Sequence, residues 1–194
     1  MIGVVAFAAS GALAAVRARL DVFGVVVLGM ITALGGGVIL GVLLDITPPT
    51  SLREWPYLLG AVATSIVVFA FHPKLAGLRP AMPVADAVGL ALFTVAGTAT
   101  ALAHDVPAYS ACLIGMAPGI GGGALRDVLL RQIPLVFHRE IYGLAALAGA
   151  VVVAVGDTAG LSTGPVAVVG AVLIVSLRLI ALWRRWDAPV APES

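Results

Sequence analysis

Apolar blocks close to 20 residues long, separated by short polar breaks, recur seven times along this chain, at roughly 1–16, 22–44, 56–71, 84–103, 108–130, 140–156 and 165–183. A helix needs about 20 such residues to cross the ~30 Å of hydrocarbon in a bilayer, at about 1.5 Å per residue. The breaks carry turn and charge chemistry, with Pro48-Pro49 in the second and Pro107 closing the fourth. None is long enough to separate soluble domains. The pattern predicts one all-α integral membrane domain over residues 1–194, with seven transmembrane helices. No basic residue precedes the first block, whereas Arg17 and Arg19 follow it. That is the polarity of a first transmembrane helix, not of a cleaved signal.

Composition agrees with a bilayer as the solvent. Hydrophobic residues make up 61% of the chain and charged ones 11%, against about 25% charged in soluble domains. The net charge of +1 implies no nucleic-acid partner, so the basic residues matter by position. Arg17, Arg19, Lys74, Arg79, Arg131, Arg139, Arg184 and Arg185 fall on one side of the predicted membrane, and only Arg53 falls on the other. This asymmetry puts the N-terminus outside and the C-terminal tail, 184–194, in the cytoplasm, with Trp183 and Trp186 as interface anchors. The single cysteine, Cys112, lies in an apolar run and reads as a packing residue. His72, His104 and His138 all lie at block ends without metal-ligand spacing. No nucleophile, base and orienter come together in the pattern, so neither an enzyme, a resident metal nor a cofactor is expected.

Sliding the chain against itself by 86 residues aligns 1–72 with 87–158 without a gap, and 17 of the 72 pairs are identical. Squared residue frequencies in so biased a composition predict roughly a tenth. Gly35-Gly36-Gly37 falls on Gly121-Gly122-Gly123, Phe7 on Phe93, and Val42-Leu43-Leu44 on Val128-Leu129-Leu130. Each repeat holds three helices, an odd number, so the second enters the membrane inverted relative to the first. The expected architecture is two inverted three-helix repeats, 1–72 and 87–158, with a seventh helix at 165–183 appended.

Inversion brings both glycine triplets near the bilayer midplane, facing one another. Three consecutive glycines cost a helix roughly 1 kcal/mol each relative to alanine, and Pro118 removes a donor just before the second triplet. The pattern therefore suggests kinked or broken second and fifth helices whose freed carbonyls line a polar path. Close helix packing is the competing reading of Gly115-x-x-x-Gly119-x-x-x-Gly123. The stretch GIGGGALRD also satisfies G-x-G-x-x-A through Gly119, Gly121 and Ala124, with Glu140 further on. Without a preceding strand or a soluble βαβ unit, a dinucleotide site is excluded.

Arg126 and Asp127 follow the second triplet by one turn. Ionisable residues inside a span are expensive and face a wet interior or pair with one another. They are assigned to the path, with snorkelling to the headgroups as the alternative for Arg126. Asp86 is either a partner for Arg126 and an attractor of cations or an ordinary N-cap. Thr32, one turn ahead of the first triplet, is the hydroxyl assigned to the path, while Thr64, Ser65, Thr94, Thr98, Thr100 and Ser110 are expected mostly to bond within or between helices.

The stretches FAASGALAAVRARLDVFGVVVLGMITALGGG, DAVGLALFTVAGTATAL and GGGALRDVLL together resemble the prokaryotic branch of the trimeric intracellular cation (TRIC) channels, over essentially residues 2–183. The resemblance implies a homotrimer in the prokaryotic plasma membrane, with a separate path in each protomer for monovalent cations, chiefly K⁺. Three departures stand out. Leu40 and Gly41 replace the arginine and aspartate common after the family's first triplet, Thr100 stands where a lysine is common, and Pro118-Gly119 where Thr-Gly often precedes the second triplet. The rival expectation is a secondary transporter of a small solute, since inverted repeats with a midplane site are equally at home there.

Overall fold

The computed structural model describes residues 1–72, 80–138 and 141–184. Lys74, Arg79, Arg139, Glu140, Arg185 and Trp186, on which the sequence reading drew, lie outside the described residues. Seven long helices occupy the predicted blocks: α1 (Ile2–Arg17), α2 (Val22–Leu43), α3 (Trp55–Ala70), α4 (Ala81–Ala103), α5 (Ala108–Leu129), α6 (Ile141–Thr158) and α7 (Thr163–Arg184). Two single-turn helices, Thr50–Arg53 and Leu135–His138, sit in the breaks after α2 and α5. Five of the long helices, α2 and α4 to α7, have the length and hydropathy to cross a membrane. The other two, α1 and α3, have 16 residues each and reach about 24 Å. Large apolar side chains stand exposed on every long helix, among them Phe23, Leu113, Val155 and Trp183.

Local signals explain where the helices stop. Asp21 caps α2 by accepting a hydrogen bond from the Gly24 N–H at 2.8 Å. Arg19, Asp45, Asp105 and Arg131 end their helices in the left-handed region, with φ of 59°, 53°, 57° and 56°. Each precedes a residue whose N–H reaches five positions back to close the last turn, as Leu20 does to the Ala15 carbonyl and Val106 to the Ala101 carbonyl. These positions also pair at the 86-residue offset, Arg19 with Asp105 and Asp45 with Arg131.

Packing follows the same symmetry. The first three helices pack on one another, α4 to α6 do the same, and α1 on α4 with α2 on α5 joins the two bundles, while α7 lies against α4 and α6. Contacts across the joint are reciprocal. Phe7 stacks on Phe93 with ring centroids 5.2 Å apart, Gly3 lies under Phe93, and Gly89 under Phe7. Gly35 faces Leu125 and Gly121 faces Ile39, and inside the two bundles Gly11 abuts Thr32 just as its counterpart Gly97 abuts Pro118. When residue i meets j+86 and j meets i+86, the halves are related by a two-fold exchange, as two inverted repeats require.

Candidate functional site

The α2–α5 crossing sits where the repeats meet. A Cβ on Gly36 would run into the Pro118 carbonyl oxygen, and one on Gly122 into the Thr32 carbonyl oxygen. Both helices remain α-helical through their triplets, from Val22 to Leu43 and from Ala108 to Leu129. This corrects the expectation of broken helices. The glycines let two intact backbones touch, and only Pro118, which has no N–H to give the Ile114 carbonyl, interrupts the ladder. Thr32 is held in the same packing. Its hydroxyl bonds the Leu28 carbonyl at 2.7 Å inside its own helix, and it is wholly buried between α1 and α5. Gly119 likewise packs on Thr94 and Leu90 of α4.

Beyond the crossing, toward the end that carries Arg17 and Arg184, the interior is charged. Arg126 of α5 is completely buried, so it does not snorkel. Its Nη1 donates to Asp86 Oδ1 of α4 and to Ser10 Oγ of α1, each at 2.6 Å, and its Nε donates to Asp127 Oδ1 at 2.8 Å. Nη2 lies 2.8 Å from that same Asp127 oxygen but lacks the angle of a hydrogen bond. Asp86, in the second turn of α4, is wholly buried as an ion-pair partner, which decides against the N-cap reading. Asp127 Oδ2 accepts the Leu135 N–H at 3.0 Å, tying the one-turn helix after α5 to the same cluster.

Two further residues complete the site. Tyr142 of α6 is buried, and a Cβ on Gly123 would stand 3.0 Å from its hydroxyl and 3.2 Å from Asp86 Oδ1. Arg178 of α7 is buried as well, its guanidinium carbon 4.5 Å from the centre of the Tyr142 ring. Two arginines and two aspartates thus balance in charge. Taking such ions out of water costs several kcal/mol each, and close pairing at 2.6–2.8 Å offsets it. Arg178, in the last third of an apolar block, carried a readable signal, because an arginine inside a span is rare. Ser10 and Tyr142 carried none.

The opposite end is its reverse. A cavity of about 670 Å³ opens among α1, α2, α4 and the Thr50–Arg53 turn, with Gly37, Leu40, Gly41, Phe93 and Ala96 in its walls. Leu40 and Gly41 are the counterparts of Arg126 and Asp127, and Ala96 is the counterpart of Ser10. One end of the crossing is therefore plugged by a salt-bridged guanidinium, and the other is hollow.

A family model described as Glycine transporter matches residues 1–73 and 83–158, the two stretches that hold the repeats. A UPF0126 membrane protein of Streptomyces coelicolor is 44% identical over 193 residues, covering 99% of this chain and 88% of the relative. Two solved structures superpose with a TM-score of 0.91. One, concerned with conductance through TRIC cation channels, is 34% identical and covers 100% of this chain and 95% of its own. The other, the trimeric intracellular cation channel orthologue of Rhodobacter sphaeroides, is 32% identical and covers 95% of each.

Proposed function

Because this chain belongs to the prokaryotic TRIC family, we propose that it is a multi-pass membrane channel for monovalent cations, K⁺ foremost. It assembles as a homotrimer with one path in each protomer, in a prokaryotic plasma membrane with its N-terminus outside. The observation that carries this reading is the buried Arg126–Asp86–Asp127 cluster at one end of the α2–α5 crossing. As it stands the cluster closes the path, since Arg126 fills the space between α1, α4 and α5. Moving the guanidinium aside uncovers two carboxylates, Asp86 and Asp127, in a low-dielectric interior. Their field favours cations and rejects anions. Apart from the Ile114 carbonyl opposite Pro118, the helices keep their carbonyls in the helical ladder, so side-chain oxygens and water, rather than an unwound backbone, accompany the ion.

The description of the matched family favours a second reading, a transporter of glycine or a similar small zwitterion. Liposomes holding the full-length protein and a K⁺ gradient separate the two. A channel gives a diffusion potential that grows with the gradient and does not saturate. A transporter gives slow, saturable glycine uptake and counterflow with no K⁺ potential, and that outcome would replace the channel reading.

A further inference from the structure

We infer that the cavity at the Met1 end is a binding site for a small uncharged amphiphile, an apolar body carrying one hydroxyl or carbonyl group. The effect on flux rests on the channel reading; the binding does not. The cavity is explained by the repeat. Arg126, Asp127 and Ser10 occupy the equivalent space at the other end, and three truncations, to Leu40, Gly41 and Ala96, empty it here. At about 670 Å³ it falls in the range of small-molecule sites.

The walls select the guest. Leu92, Phe93, Val95 and Ala99 are apolar, and among the described residues no charged side chain lines the cavity. A cationic guest would give up its hydration beside the Met1 ammonium without a countercharge, whereas an apolar body gains by leaving water. One hydrogen-bonding group has a use. Ser51, at the cavity wall and held against Gly37, is 7% exposed, and its Oγ has no hydrogen-bond partner. A buried hydroxyl without a partner is costly, and a guest hydroxyl or carbonyl within reach of a small Ser51 rotation satisfies it.

The test uses full-length protein in liposomes and a photoactivatable diazirine analogue of benzyl alcohol. Crosslinks should map to the peptides holding Leu40, Ser51 and Phe93. Benzyl alcohol should compete with them, and benzylammonium should not. Ala96→Phe, which points a ring into the cavity, should weaken labelling about tenfold, and Leu40→Phe should do the same from the α2 side should the first variant fold poorly. Benzyl alcohol should slow K⁺ flux in the unmodified protein and lose this effect in the filled variants. Labelling scattered over the exposed Phe23, Leu113 and Trp183, unchanged by either substitution, overturns the site. Equal competition by benzylammonium overturns the ligand class. Cavity labelling that the substitutions abolish, in protein that passes no K⁺, upholds the site and rejects the channel.

Discussion

Replacing Arg126 with methionine is expected to destabilise the folded protein by about 3–5 kcal/mol, because it strands two buried carboxylates. Asp86 is wholly buried and Asp127 is 3% exposed, so water offers neither any compensation. The double variant Arg126→Met/Asp86→Asn should recover a large part of that loss. It leaves Asp127 and Arg178 in the cluster, one charge of each sign. Denaturant titration of the two variants in mild detergent reads the difference. Equal stability of the single variant and the native protein would mean that the pair is open to solvent in the membrane. The channel reading adds a second expectation: the same single variant should stay open for a larger fraction of the time, since the plug itself is gone.

Alanine at Gly36 or Gly122 should be the next most damaging change. In an ordinary helix Gly→Ala gains up to about 1 kcal/mol. Here the added carbon meets a backbone carbonyl, that of Pro118 or Thr32, which cannot rotate away. Forcing α2 off α5 costs about 1–3 kcal/mol, so the net sign is destabilising at both positions. The two-fold relation makes the losses similar. Gly143→Ala in α6 provides the contrast. The nearest atom to its new carbon is Val136 Cγ2 at 3.8 Å, so it should be neutral or mildly stabilising. Thermal unfolding of the three variants checks the pattern, and three equal shifts would contradict close packing at the crossing.

Much of this fold was legible from residues alone. The seven blocks became seven helices, and the 86-residue offset reappears in the left-handed pairs Arg19/Asp105 and Asp45/Arg131. The expected break at the triplets failed on magnitude. A glycine costs a helix about 1 kcal/mol, but a backbone group left unbonded at membrane depth costs several, so the helix holds. Sequence pointed to Arg126, Asp127 and Asp86 because ions inside a span need partners. It was silent on Ser10 and Tyr142, whose chemistry comes only from the neighbours that the packing of α1 and α6 gives them. It also did not foresee the cavity at the Met1 end, which arises from what Leu40, Gly41 and Ala96 lack.

The proposal that Arg126 closes a cation path is tested most directly by recording from planar bilayers in asymmetric KCl, with full-length protein and with Arg126→Gln. Discrete unitary steps reversing at the K⁺ equilibrium potential are predicted for both, with a higher open fraction and the same reversal potential in the variant. An absence of unitary steps from protein shown to be folded and inserted, or a reversal potential at the Cl⁻ equilibrium, would contradict the account.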